Sequence, residues 1–134
     1  MQTLAKDIMS TNLITLTEQA TVEDALKVLI NARITGVPIV DWKTGVMKGV
    51  LSEFDIIKHI GKKKKLEEGA FQEKIRYSRK TKFILTNTPL SEIVKLFVTC
   101  KYRRLPVLDD HKRLVGVITR RDLMRVFFYR SKLP

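Results

Sequence analysis

Cysteine is nearly absent from this chain of 134 residues, and long apolar runs are absent altogether. The one cysteine, Cys100, excludes an intrachain disulfide, which favours a cytoplasmic protein. Because Cys100 falls on an apolar helical stripe, we expect it to be buried. No apolar stretch approaches the roughly 18 residues that a membrane-spanning helix needs. The first residues lack an apolar segment behind a basic start, so we expect no signal peptide.

Acidic side chains are scarce beside basic ones, 14 against 26, so the net charge is +12. Residues 1–60 hold 6 basic and 7 acidic side chains, residues 61–80 hold 8 and 3, and residues 81–134 hold 12 and 4. This excess predicts an anionic partner, namely a phosphorylated ligand, a nucleic acid or an acidic protein surface. For the lysines of residues 62–80, solubility is the simpler interpretation.

Patterns of catalytic residues are also lacking. The sequence has no glycine-rich phosphate loop, no nucleophile elbow and no His/Cys/Asp constellation. His59 and His111 lie far apart and have no partners at metal-ligand spacing. We therefore expect neither an enzyme nor a metal site. The apolar residues, 44% of the chain, are enough to form a packed globule.

One short pattern organises the sequence, a strand that ends where a helix begins. In Gly116–Asp122 a glycine ends a turn, two β-branched residues predict a strand, and Thr119 stops it as a helix N-cap. Asp122 lies three residues on, where its carboxylate can reach back to the cap. The same pattern appears as Gly49–Asp55, with Ser52 as the cap. Two copies on a repeat predict paired sites.

Matched residues of the two halves are separated by two constant offsets, which indicates internal duplication. The one-residue change between the offsets places an extra residue in the first-half turn at residues 42–48. The pairs 68 residues apart are Val22 and Leu90, Pro38 and Pro106, and Asp41 and Asp109, and the pairs 67 apart are Gly49 and Gly116, Ser52 and Thr119, and Asp55 and Asp122.

Apolar periodicity predicts the order strand–helix–strand–strand–helix in each half. Pro38 should lie at the start of its strand or on a sheet edge, and Thr88 should cap a helix whose first residue is Pro89. We predict a short helix within 3–9, strands at 13–16, 37–40, 46–51, 83–85, 105–108 and 114–118, and longer helices at about 22–33, 53–59, 89–100 and 120–130.

The predicted domains follow from the duplication. Residues 1–61 form the first repeat with the N-terminal helix, residues 62–80 a basic and partly helical linker, and residues 81–134 the second repeat. Because each half alone has a small core, the two sheets should pack face to face.

This duplicated pattern resembles the cystathionine-β-synthase-type (CBS) domain pair, also called a Bateman module. Thr35–Asp41 with Gly49–Asp55 carries the resemblance in the first half, and Arg103–Asp109 with Gly116–Asp122 carries it in the second. The resemblance implies an α+β fold of tandem βαββα units packed sheet to sheet about a pseudo-twofold axis. It also implies a regulatory rather than catalytic protein, with no required cofactor, whose clefts between the repeats bind AMP, ADP, ATP or S-adenosylmethionine.

The predicted strand-to-helix corners suit such ligands. Unpaired backbone N–H groups and the helix dipole favour phosphate, and Ser52 and Thr119 add hydroxyls there. A carboxylate three residues on repels phosphate but can accept hydrogen bonds from a ribose diol. The resemblance assigns this ribose-binding role to Asp55 and Asp122. The simpler alternative is a capping box, because Thr21–Asp24 has the same spacing without a site role in the family.

Matching the family residue by residue assigns the other contacts. Arg104 stands where the first half has a small residue, which weakens the second adenine slot. The adenine slots would use Ile14, Gly36 and Val37, or Lys82, Arg104 and Leu105, and the phosphate contacts would use Ser52, Thr119, Arg103, Arg104 and Arg121, with Arg120, Lys58 and Arg125 as secondary candidates.

The expected function is therefore a ligand-sensing module that binds an adenosine-containing molecule and modulates an unidentified partner in trans. The family commonly pairs through its helices, so we expect a homodimer, with Phe127 and Phe128 supplying apolar contacts. The alternative is a nucleic-acid-binding protein that uses the basic second half, although no reading helix is recognisable.

Overall fold

A computed structural model describes residues 2–62 and 68–130. The chain forms two compact units. The first-repeat unit comprises Ile14–Thr81, and the second-repeat unit joins the residues up to Leu13 to those from Lys82 onward. Within the described residues the elements are α1 (Ala5–Ile8), β1 (Leu16–Thr17), α2 (Val22–Ala32), β2 (Gly36–Val40), β3 (Met47–Ser52), α3 (Glu53–Gly61), α4 (Glu68–Phe71), β4 (Ile84–Leu85), α5 (Leu90–Cys100), β5 (Arg104–Leu108), β6 (Leu114–Thr119) and α6 (Arg120–Arg130).

Each unit contains a three-stranded sheet with the same topology, which confirms the predicted α+β repeat. The sheet orders are β1-β2-β3 and β4-β5-β6, with the first pair of strands parallel and the second antiparallel. Val40 pairs with Met47 across the first turn, and Leu108 pairs with Leu114 across the second. The first turn is one residue longer, as the offsets predict.

Amphipathic helices cover one face of each sheet, because their apolar residues recur at helical spacing. A fully buried aliphatic side chain contributes roughly 1.5–3 kcal/mol to folding. In the first-repeat unit the buried core includes Val22, Ala25 and Leu29 from α2 with Val37, Ile39 and Leu51 from the sheet, and in the second-repeat unit it includes Ile93, Phe97, Leu105, Val107, Ile118 and Leu123.

Pro38 and Pro106 do not lie at strand starts or on edge strands. Each is the third residue of the central strand of its sheet. A proline is tolerated there because β1 pairs only with the last two residues of β2, and β4 only with the last two of β5. Neither proline therefore faces β1 or β4, and the N–H group that proline lacks is not needed for pairing on that side of the strand.

The start of α5 also differs from the prediction. Pro89 is the N-cap, with extended backbone (φ −73°, ψ 152°), and the helix begins at Leu90. The Thr88 hydroxyl instead accepts a hydrogen bond from the backbone N–H of Leu85 (3.0 Å), so it stabilises the turn before the helix.

Cys100 is exposed, so the prediction of a buried thiol is wrong. It is the last residue of α5, directly before Lys101, whose backbone is left-handed (φ 55°). The buried stripe of this helix ends at Phe97, one turn earlier.

The N-terminal segment, which precedes the first repeat, packs on the second-repeat unit. The linker, which precedes the second repeat, packs on the first-repeat unit. The backbone N–H of Ala5 donates to the carbonyl of Thr88 (2.8 Å), which joins α1 to the second-repeat unit. The backbone N–H of Val22 donates to the carbonyl of Glu73 (2.9 Å), which joins the linker to the first-repeat unit. The linker is partly helical, as predicted, through α4, while residues 63–67 lie outside the described part.

Both segments then cross a sheet at a glycine. Ser78 exchanges two backbone hydrogen bonds with Val50 of β3 (3.0 and 3.1 Å), and Ser10 exchanges two with Val117 of β6 (both 2.9 Å). Gly49 and Gly116 therefore lie within strands rather than at the ends of turns, which corrects the sequence interpretation. Their missing side chains make room for the crossing segments.

We predict that Gly49→Ala destabilises the protein by roughly 1–3 kcal/mol, because the new methyl group would overlap the Ser78 carbonyl, which is fixed by backbone pairing. Gly116→Ala should cost less, because its methyl group would meet the flexible side chain of Met9. Chemical denaturation measures both losses.

Gly61→Ala is the matched control, since a methyl group there meets no atom within 4 Å. It should leave the free energy of unfolding unchanged or slightly raise it. Equal effects of Gly49→Ala and Gly61→Ala would contradict the crossing-segment explanation.

Candidate functional site

The first corner joins β3 to α3 through a capping box. The Ser52 hydroxyl oxygen accepts a hydrogen bond from the Asp55 backbone N–H (3.1 Å), and the Ser52 backbone N–H donates to Oδ2 of Asp55 (2.9 Å). Oδ1 of Asp55 makes no hydrogen bond within the described part of the chain, and Asp55 lines a cavity of about 440 Å³. The cap therefore uses one carboxylate oxygen and leaves the other available to a ligand.

The second corner joins β6 to α6 and is more fully occupied. Oδ2 of Asp122 accepts from both the backbone N–H (2.8 Å) and the hydroxyl (3.0 Å) of Thr119. Oδ1 lies 3.4 Å from Nη1 of Arg125, and only 8% of Asp122 is exposed. Asp122 lines a cavity of about 390 Å³ together with Asp7 and Tyr129. A ligand here would compete with contacts that already exist.

A third capping box provides an internal reference. Thr21 and Asp24 make the same pair of hydrogen bonds (2.9 and 3.2 Å) at the start of α2. The backbone hydrogen bond from Thr21 lowers the pKa of Asp24 below its usual value. Asp24 is exposed. Since all three boxes share one geometry, capping alone does not identify a ligand site.

The residues assigned to adenine lie beside these corners within each unit. Gly36 pairs directly with Ser52. The parallel register Leu16↔Ile39, extended back by two residues, places Ile14 level with Val37. The side chain of Val37 is fully buried, so only its backbone can border a slot.

The second-repeat unit repeats this arrangement. The register Ile84↔Val107, extended back by two residues, places Lys82 level with Leu105, whose side chain is 1% exposed. Arg104 pairs with Thr119 across the strands, in the position that Gly36 occupies in the first-repeat unit. Its long side chain is half-buried.

The arginines divide by their contacts. Arg103 and Arg121 are exposed, and neither forms an ion pair among the described residues. Arg120 donates to the carbonyls of Tyr102 (2.9 Å) and Lys101 (3.0 Å), so its guanidinium caps the C-terminal end of α5. That role removes Arg120 from the phosphate candidates.

The sequence interpretation missed a buried polar pair near the first corner. Nε2 of His59 lies 2.7 Å from Oε2 of Glu73, and His59 is 8% exposed. The two residues are 14 positions apart with no shared motif, so only the folding of the linker onto α3 brings them together. The apolar face of α3, on which His59 falls, is the one sequence signal for its burial.

Two classes of site find no support in the described residues. Across residues 2–62 and 68–130, His, Cys, Asp and Glu side chains form no group of three that could hold a metal ion. Within the same ranges, every helix is too short or too polar to cross a membrane.

Comparison with known proteins places this geometry in one family. A model of the CBS domain family matches residues 5–62 and 75–129. The chain is 30% identical to L-aspartate semialdehyde sulfurtransferase of Methanocaldococcus jannaschii over 93% of its own length and 23% of that protein. It is 31% identical to CBSX1 of Arabidopsis thaliana over 78% of its own length and 55% of that protein. The chain thus spans about a quarter to half the length of these relatives.

Other relatives match the chain from end to end. A CBS domain-containing protein of Dictyostelium discoideum is 31% identical and is covered over 90%, with 92% of this chain aligned. CBSX2 in complex with AMP superposes with a TM-score of 0.75 at 25% identity, covering 96% of this chain and 98% of CBSX2. The CBS domain pair of MJ0100, in complex with 5′-methylthioadenosine and S-adenosyl-L-methionine, superposes with a TM-score of 0.71 at 29% identity, with the same coverages. Since the family model covers most of both repeats, this chain belongs to the CBS domain family.

Proposed function

We propose that this protein is a regulatory module that binds an adenosine-containing ligand, such as AMP, ADP, ATP or S-adenosylmethionine, and modulates a partner protein in trans. The observation that carries the proposal is Oδ1 of Asp55, a carboxylate oxygen that has no hydrogen-bond partner among the described residues and belongs to a residue that lines a cavity. The structures of similar CBS pairs with AMP and with S-adenosyl-L-methionine support this ligand class. The proposed role is regulatory, not catalytic.

In the proposed binding mode, Asp55 and Asp122 accept hydrogen bonds from ribose hydroxyls. Each such bond to a charged acceptor contributes about 1.5–3 kcal/mol. Oδ1 of Asp55 can do so without rearrangement, whereas Oδ1 of Asp122 must first release Arg125. We therefore propose that the first corner binds ribose more tightly than the second.

The proposed adenine contacts are backbone groups of Ile14, Gly36 and Val37 in the first-repeat unit and of Lys82 and Leu105 in the second. This assignment follows from burial, because the side chains of Val37 and Leu105 are in the cores. Apolar slots with backbone hydrogen-bonding groups at their edge are typical of such ligand sites.

The proposed phosphate contacts are the hydroxyls of Ser52 and Thr119 and the guanidinium groups of Arg103, Arg104 and Arg121. The Ser52 hydroxyl accepts from Asp55 and has its proton left to donate, whereas the Thr119 hydroxyl already donates to Asp122. The guanidinium groups can grip phosphate oxygens in a bidentate manner.

Regulation would follow from differential affinity. A ligand shifts a conformational equilibrium only by as much as it binds one state better than the other. We also propose a homodimer, supported by exposed apolar side chains on α3 and α6, which are Phe54, Ile57, Met124, Phe127 and Phe128. The cytoplasmic location stays a prediction.

We predict that Asp55→Ala and Asp122→Ala each weaken AMP binding at least tenfold, because a ribose hydroxyl loses its charged acceptor. Asp24→Ala is the matched control. It removes the equivalent capping hydrogen bond at the start of α2, which should lower the free energy of unfolding by about 1 kcal/mol, and it lies outside the proposed sites. Calorimetric titration gives the affinities and thermal unfolding gives the stabilities.

Unchanged AMP affinity in both site variants would mean that these carboxylates only cap their helices. A duplex DNA titration runs in parallel as the test of the alternative. Binding to the duplex that vanishes at moderate salt, with no response to AMP, would favour a nucleic-acid partner instead.

We further predict that the double variant Arg103→Ala with Arg104→Ala weakens ATP binding roughly tenfold while adenosine binding changes little, because only ATP presents phosphates to the guanidinium groups. Lys6→Ala with Lys95→Ala is the control, since it removes two exposed cations from the same unit. Equal losses for ATP and adenosine would remove the phosphate role.

A further inference from the structure

The first-repeat unit contains a cavity of about 440 Å³ beside α3. Positions 55, 58, 59 and 62 contribute to one wall, at the spacing of a single helical face. The crossing segment of the linker forms the facing wall with Arg76 and Tyr77. The pairing of Ser78 with Val50 fixes that segment against β3, so the wall is held by backbone hydrogen bonds.

The charges around this cavity are unbalanced. Among the described residues, Lys58, Lys62 and Arg76 line it with the carboxylate of Asp55, and the carboxylate of Glu73 contacts the lining residue His59. None of the three cations forms an ion pair with a described residue, and the Lys58 ammonium lies 5.6 Å from the ring centre of Phe54. Three unpaired cations around one space repel each other, and an anion would relieve that repulsion.

Two lining residues also carry buried polar atoms without partners. Nδ1 of His59 and the hydroxyl of Tyr77 make no hydrogen bond with a described residue, and both atoms are out of contact with solvent. The other ring nitrogen of His59 is held by Glu73. Buried polar atoms in proteins almost always have a partner. These two atoms lie beneath the surface of the wall, so the exposed charges of Lys58, Lys62 and Arg76, and not these atoms, are the groups that face a ligand.

We propose that this cavity binds a phosphate-bearing anion through Lys58, Lys62 and Arg76. A guanidinium group can take two phosphate oxygens at once, and the ammonium groups act as compact charges. The volume lies within the range of about 300–1,000 Å³ for small-molecule sites, which suits pyrophosphate or the phosphate chain of a nucleotide. Because Asp55 lines the same cavity, the inference rests on the proposed function and adds to it the residues that would hold the phosphate groups.

Calorimetric titration with sodium pyrophosphate at fixed ionic strength tests this site. The double variant Lys58→Gln with Arg76→Gln should weaken binding tenfold or more, because it removes two charge-assisted contacts. The control is Lys27→Gln with Lys43→Gln, which removes two charges from exposed positions of the same unit. It should change the affinity less than threefold, and thermal unfolding verifies that both double variants remain folded.

Absence of pyrophosphate binding to the unmodified protein, or equal losses in the two double variants, would overturn the proposal. A separate titration uses adenosine, which has no phosphate. Loss of adenosine affinity in Asp55→Ala tests the ribose role alone, because that contact does not involve Lys58 or Arg76. ATP distinguishes the two sources of phosphate. A parallel loss of ATP affinity in the Lys58→Gln, Arg76→Gln variant assigns the cavity to a nucleotide, and unchanged ATP affinity assigns it to free pyrophosphate.

Discussion

Backbone pairing between a crossing segment and a sheet is the constraint on which the rest of each unit depends. Ser78 pairs with Val50, and Ser10 pairs with Val117, each through two hydrogen bonds of 2.9–3.1 Å. Pairing this close is open only to a strand that has glycine beside the crossing point, as β3 has at Gly49. It holds the linker against α3, and this contact brings Glu73 to His59 and Arg76 to the cavity. The positions of Glu73 and Arg76 therefore depend on the absence of a side chain at Gly49.

The strand-to-helix corners show how a carboxylate can cap a helix with one of its two oxygens. A capping box satisfies two helix-start N–H groups, which would otherwise be unpaired. It needs only one oxygen of the aspartate, as Asp55 demonstrates through Oδ2. The box at Asp24 shows the same geometry with a carboxylate that is exposed to solvent. The cap alone therefore does not distinguish these corners, and their difference lies in what surrounds the second oxygen.

Much of the fold was predictable because it depends on local signals repeated twice. The offsets located both corners, the extra turn residue and the paired strands, since helix caps and apolar periods act over a few residues. Two misses arise from local details at the ends of α5, and a third depends on a partner distant in sequence. Pro89 caps α5 because Thr88 is engaged with Leu85, and Cys100 is exposed because the stripe of α5 ends a turn early. The His59–Glu73 pair depends on how the linker docks, which no local pattern encodes.

The two corners are not equivalent, although the duplication made them from one pattern. At the first corner the carboxylate oxygen is unpaired, the hydroxyl proton is available and Gly36 leaves space opposite Ser52. At the second corner the hydroxyl is engaged, Arg125 approaches the carboxylate, and Arg104 replaces the small residue. The first corner therefore presents polar atoms that are not engaged by described residues, whereas those of the second corner already have partners. Because contacts that need no rearrangement cost less to form, the binding mode proposed above would fill the first corner before the second.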